Sequence, residues 1–258
     1  MIDRRYARAL SLLVPIVVWH GVVSAGLVSQ TVLPPPLSIA ETTVASLGES
    51  TFRGHVLATL VRTALASAIA APLGTLVGFA MAVDRDLRAV LSPVTSAVFA
   101  LPTVAMFPLL ILVVGTTGRA LVLTAAIGAF VLVVWNARDG ARSIDHTYVE
   151  LARDNGATSR SDLVREVWLP GSLPLLLVGL RLGLSMSLLI VTAVEFVAAD
   201  SGLGYVLWIS WTAYRLPEMY AALVIVGVVG MAITYGLAAL SDRLLPWAPD
   251  AGRTAIAP

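Results

Sequence analysis

The chain contains no cysteine and no lysine; all 17 of its basic residues are arginine. Without cysteine there are no disulfides, thiol nucleophiles or thiolate metal sites. Without lysine there is no Schiff-base chemistry and no Walker A loop, whose lysine must reach the β- and γ-phosphates. Any ATP hydrolysis by a P-loop motor would therefore belong to another polypeptide. Histidine is almost as scarce: His20, His55 and His146 are far apart and form no HxxxH or HExxH spacing, which argues against a zinc site. These absences leave no catalytic residue, metal ligand or cofactor motif to assign.

Charge is sparse as well. Charged residues make up 13% of the chain and apolar residues 58%, with a mean hydropathy of +0.88. Soluble domains run near about 25% charged and roughly 45–50% apolar. Several apolar runs approach or exceed the roughly 20 residues that cross a hydrocarbon core, so the composition implies an all-α, polytopic membrane helix bundle. About six transmembrane helices can be read, at residues 7–28, 56–83, 90–114, 120–135, 173–198 and 218–240. The first run exceeds the roughly 7–15 apolar residues of a signal peptide and is read as an uncleaved span. Between the first two, the prolines of Leu33–Ser38 forbid helix, and a modest amphipathic stretch leads to Arg53. Residues 1–258 read as a single transmembrane domain with its core at 56–240, and the tail beyond Ser241 is expected to be disordered at its end.

Arginine placement in short loops gives an orientation. With the N-terminus inside, the inner segments hold Arg4, Arg5, Arg8, Arg85, Arg88, Arg138, Arg142, Arg153, Arg160, Arg165, Arg243 and Arg253, against Arg53, Arg119 and Arg215 outside. Both termini are thus expected in the cytoplasm, in a multi-pass protein of the cell (inner) membrane. So is the one polar island of the chain, residues 147–174, "TYVELARDNGATSRSDLVREVWLPGSLP".

That island reads as two short helices. Thr147 and Glu150 fit a capping box at the start of the first, and Asn155-Gly156 fit its left-handed end. Ser159 and Asp162 fit a second capping box. Leu163, Val164, Val167 and Trp168 then form one apolar face, and Leu169-Pro170 is expected to end the helix. Three arginines against four carboxylates (Glu150, Asp154, Asp162, Glu166) give no basic face, which argues against a DNA-reading helix-turn-helix, and no nucleic acid is expected as a partner. The segment reads either as an ordinary surface loop between spans, capped for stability, or, from its definite shape and mixed charge, as a docking site for a cytoplasmic protein.

With these residues in view, the segment resembles the cytoplasmic EAA loop of ATP-binding-cassette (ABC) importer permeases, whose pattern is E-A-A, three residues, Gly, then about nine residues to I-x-L-P. Glu150, Leu151, Ala152 and Gly156 match the first part, with leucine for the middle alanine, and Val167, Leu169 and Pro170 match the last. Ten residues separate Gly156 from Val167, one more than the pattern, which predicts an offset helix or a longer turn after the glycine. "LPPPLSI", "ALPTVAMFPLLILVVGTTGRA" and "EFVAADSGLGYVL" resemble three further segments of the same permeases, in the same order, and the set is similar to their nitrate/sulfonate/taurine branch.

The resemblance implies the methionine-importer-type permease fold and a homodimer or pseudo-dimer working with two ATPase subunits. It further implies that residues 147–170 form the coupling helix on which the ATPase docks, and that an extracytoplasmic solute-binding protein delivers a small, anionic solute for inward transport by alternating access. A secondary transporter or channel without an ATPase would instead show paired charges or broken helices near mid-membrane, and it would leave the docking motif unexplained.

Charge inside a span is by default functional. Glu195 lies 21 residues after Pro174, about 31 Å along a helix. It is read either as a pathway group or as a rim carboxylate, hydrated or paired with Arg62 or Arg215. Arg181, about 10 Å beyond Pro174 by the same rise, can snorkel toward cytoplasmic water. Pro93, Pro102 and Pro108 mark the third span either as a flexing, pore-lining helix or as one that is statically kinked, and Gly202, Gly204 and Tyr205 read either as a gate at the pathway's outer end or as an interfacial anchor. Gly179, Gly183 and Ser187, four apart, form a smooth face for close helix packing or for a dimer contact.

Overall fold

The computed structural model describes residues 4–246, with side chains from Leu13 onward except Arg160, and every regular element among them is helical. The tail beyond Pro246, Arg253 with it, and the side chains of Arg4, Arg5 and Arg8 lie outside the described residues. The chain forms two compact units, Met1–Ala58 with Glu195–Val228, and Thr59–Val194 with Val229–Pro258.

The first unit contains α1 (Arg4–Ser24), α2 (Pro36–Gly48) and the start of α3 (Ser50–Val83), together with α10 (Leu203–Thr212) and the first part of α11 (Leu216–Leu244). The run Leu33–Ser38 does not exclude helix throughout as expected: Pro36 opens α2, where a missing N–H costs nothing because first-turn amides have no helical partner. The turn before it is held by the Tyr220 hydroxyl, which donates to the Val32 carbonyl at 3.2 Å, while the Tyr220 ring leans on Trp19.

The second unit is built around α6 (Thr117–Arg142), where Ala125, Ala129, Val133, Val134 and Ala137 are fully buried. Lipid is as apolar as leucine, so close packing rather than water exclusion holds spans together, and the sequence supplies glycines where helices meet. A Cβ at Gly78 of α3 would lie 2.7 Å from that of Ala137, and one at Gly183 of α9 (Leu169–Ala198) would lie 2.9 Å from Val133. Gly179 meets Asn136 in the same way. The small-residue face of the fifth predicted span thus packs within the chain.

The third predicted span is not one helix. It consists of α4 (Arg85–Ala100), a 3₁₀ turn (Thr103–Met106) and α5 (Phe107–Val114), with a 93° bend between the arms. Pro102 has no N–H for the ladder and confines Leu101 to extended backbone (φ −72°, ψ 135°). Pro108 then sits in the first turn of α5, where proline is tolerated. Trp135 of α6 holds the first arm: its indole N–H donates to Thr95 Oγ1 at 3.2 Å and its ring packs on Phe99.

Among the described residues four helices are long and apolar enough to cross a membrane, and the bent pair makes a fifth span if counted once. The first predicted span falls on α1, of whose apolar run Leu13–Ser24 is described with side chains.

Candidate functional site

The polar island folds as α7 (His146–Asp154), a turn, α8 (Arg160–Leu163) and a π turn (Val164–Trp168) that runs directly into α9. The start of α7 differs from the sequence reading. Asp145, not Thr147, is the N-cap: its Oδ1 accepts from the Thr147 N–H at 2.9 Å and hydroxyl at 2.7 Å. Asp and Thr are both good caps and lie two residues apart, so the extra acceptor strength of a carboxylate decides between them. Glu150 does not return to the backbone; its Oε1 lies 3.1 Å from His146 Nδ1, one turn back. The hydrogen bonds from the Thr147 N–H and hydroxyl hold the Asp145 carboxyl below its ordinary value, with the neighbouring His146 adding to them.

The end of α7 follows the sequence. Gly156 has φ +100°, its N–H reaches the Arg153 carbonyl, and the Ala157 N–H reaches that of Ala152 at 2.9 Å. These two bonds make a Schellman cap, which asks for a left-handed residue at the glycine position. The second capping box also forms: Asp162 N–H donates to Ser159 Oγ at 3.1 Å, and Ser159 N–H donates to Asp162 Oδ2 at 2.9 Å. The Ser159 hydroxyl and backbone amide hold the Asp162 carboxyl below its ordinary value.

The second helix does not stop at Pro170. The Leu169 N–H bonds the Val164 carbonyl five residues back, and the helix continues to Ala198. A proline ring collides with the carbonyl four residues before it in an α-helix. A π turn opens the ladder just there and absorbs one extra residue, and the spacing from Gly156 to Val167 is one residue long.

The loop carries its own core. Val149, Ala157, Leu163 and Val167 are buried, with Ile144, Ala152 and Trp168 packed against them. The seven motif residues therefore divide by role. Ala152 and Val167 build the core and Gly156 closes the turn. Leu169 lines an apolar groove of about 610 Å³ with Phe79, Val164 and Leu180, and Pro170 follows it into α9. Glu150 and Leu151 face outward, and Leu151 is 57% exposed beside Tyr148 at 63%. Tyr148 was not among the sequence candidates. The signal for it was its spacing of three from Leu151, which puts two large side chains on one face of a short polar helix.

The glycine turn of the other unit is a separate construction. Gly202 (φ +110°) caps α10, its N–H donates to His55 Nδ1 at 3.1 Å, and Tyr205 packs on the His55 ring. Glu195 is 0% exposed, so it is not a hydrated rim carboxylate; its Oε2 accepts from the Gly204 N–H at 3.2 Å, at the positive end of the α10 dipole. A Cβ on Gly202 would run into that carboxylate, so glycine is needed there for space as well as for φ. Arg215 pairs with Glu218 at 2.9 Å. His55 was invisible in the sequence, because 147 residues separate it from Gly202. The structure thus brings Glu195, Gly202, Gly204 and Tyr205 together, while Pro102 and Pro108 lie at the bend of the other unit. Arg181 is 7% exposed, with most of its side chain packed among its neighbours.

Comparison with known proteins identifies the family. The family of binding-protein-dependent transport system inner membrane components matches residues 70–246. The chain is 30% identical to the taurine transport system permease protein of Escherichia coli K12 over 92% of this chain and 88% of that one. It is likewise 30% identical to the putative aliphatic sulfonates transport permease protein of Bacillus subtilis 168, over 95% and 89%. Among solved structures, a chain of the inward-facing MetNI methionine ABC transporter superposes with a TM-score of 0.67 at 22% identity, over 76% of this chain and 94% of that one. The chain belongs to the binding-protein-dependent transport system inner membrane components, the permeases of ABC transporters.

Proposed function

We propose that this permease imports a small anionic solute of the sulfonate type, using an ATPase subunit that docks on α7. The observation that carries the docking is the loop itself: a capped helix with its own buried core, presenting Tyr148 and Leu151 where a water-facing loop would present polar side chains. A partner's groove would cover them. The substrate class is supported by the relatives named for taurine and aliphatic sulfonates. The arginine bias supports a cytoplasmic side for α7 and both termini, and a solute-binding protein would load the opposite side.

The mechanism is alternating access in a dimer of two permease copies. Residues Ser161–Ala198 form one helix of 38 residues, about 57 Å long at 1.5 Å per residue. A hydrocarbon core is about 30 Å thick, so the rod that crosses the membrane also carries the second half of the docking loop. Closure of the ATPases would move α7, and α9 would transmit that movement into the bundle. The bend at Pro102 and Pro108 and the Glu195–Gly204 turn are the proposed pathway elements, since both interrupt regular helix.

The docking claim is tested by replacing Tyr148 and Leu151 with alanine together. Both side chains are mostly exposed, so the fold is expected to stay within roughly 0.5 kcal/mol of the parent. The amount of ATPase that co-purifies with the permease should fall about tenfold or more, as for loss of paired apolar anchors. Undiminished co-purification would show that the ATPase binds elsewhere.

A further inference from the structure

Arg181 is a buried charge with no counterion. It lies in the apolar part of α9, is 7% exposed, and makes no hydrogen bond or ion pair with any described residue. The nearest carboxylates in sequence, Glu166 and Glu195, are each about four turns away along the helix. A guanidinium without a counterion in apolar surroundings is unfavourable, and its planar fork of donors is left without an acceptor. The same unit leaves other polar groups over: the buried hydroxyls of Thr63 and Ser67 on α3 and of Ser187 on α9 have no hydrogen-bond partner. Hydroxyls on spans ordinarily return to a carbonyl one turn back, as Thr192 does to Leu188 at 2.8 Å. The side of α9 that carries Gly179 and Gly183 packs on Asn136, Val133 and Ala129. Arg181, two residues from each, is turned about 160–200° away from them at 100° per residue, so it is not a packing residue of the α6 contact.

We propose that Arg181 is an anion-binding group whose planar fork takes two oxygens of one oxyanion: a sulfonate, a carboxylate or a phosphate ester. The partner comes from outside the chain, either as the transported solute or as a lipid headgroup. The solute assignment rests on the importer reading above; the binding itself does not. A tetrahedral or planar oxyanion satisfies a guanidinium in two parallel, charge-assisted bonds, and a neutral or cationic solute gains nothing there.

The test uses the full chain in nanodiscs of phosphatidylcholine, with methanesulfonate as the probe and tetramethylammonium chloride as the ionic-strength control. Methanesulfonate is expected to raise the unfolding temperature saturably. The apparent affinity should fall at least tenfold in Arg181→Gln and several-fold in Arg181→Lys, which keeps the charge but loses the fork. Stabilisation that appears only when phosphatidylglycerol replaces part of the lipid, and is lost in Arg181→Gln, supports the same site with a headgroup as its oxyanion. The proposal is overturned if neither anion stabilises the chain, or if Arg181→Gln responds as the parent does. Should Arg181→Gln fail to insert, an affinity unchanged in Arg181→Lys overturns it equally. No ATPase takes part in this measurement, so failure to recover an ATPase would sink the importer reading and leave this result standing.

Discussion

At the scale of single residues, Gly156 is the most constrained position of the docking loop. Its φ of +100° lies where an L side chain is strained, by roughly 1–2 kcal/mol, although open space surrounds it. Gly156→Val therefore acts through the backbone alone. That strain corresponds to about a tenfold loss of the native turn, so ATP hydrolysis should uncouple from uptake while membrane insertion is unchanged; paired hydrolysis and uptake assays on the variant read it. Asp145 and Asp162 have folded-state values below 3.8, so their contribution is fully present above that pH and is lost as pH falls through the folded values. The Trp168 fluorescence, taken as the difference from a Trp168→Phe chain, should stay constant from pH 8 to about 5 and change only below about 4. A transition between pH 5 and 7 would contradict this assignment of the caps. Residue-level legibility was uneven for a physical reason. The Gly156 end and the Ser159–Asp162 box were readable because each depends on one residue type at one offset. The N-cap was not, since Asp145 and Thr147 offered competing acceptors two residues apart.

At the scale of elements, span existence was legible from apolar run length, and breaks were not. Pro102 in the third run divides two arms at 93°, whereas Pro72, Pro93 and Pro174 sit inside continuous helices. What differs is the context around the ring: Pro102 is followed by a 3₁₀ turn and a second helix start at Pro108, which gives the freed groups other partners. Pro170 misled in the opposite direction, because the π turn before it lets the helix pass. The one-residue excess between Gly156 and Val167 had announced an irregularity without saying which kind. Removing the exposed Arg165 tests that link. The deletion should convert Val164–Trp168 to α-helix and keep Leu163 and Val167 on one face at a spacing of three, so insertion and ATPase co-purification should survive. Loss of the loop's protease resistance in the deletion chain would mean that the π turn does more than absorb a residue.

At the scale of the whole molecule, family membership was legible because four local motifs occur in order along one chain. The long-range contacts were not: His55 meets Gly202 across 147 residues, and the Glu195 carboxylate accepts from the Gly204 N–H at the start of α10. On the proposed reading, the capped loop at the foot of the long α9 helix takes its drive from an ATPase on another polypeptide. The direct measurement is uptake of radiolabelled taurine into vesicles holding the permease, its co-purified ATPase and an added solute-binding protein, with and without ATP. Uptake that requires ATP and all three components, and that disappears when Tyr148 and Leu151 are both alanine, is the predicted result. Uptake by the permease alone, without ATP or partner, would contradict the account.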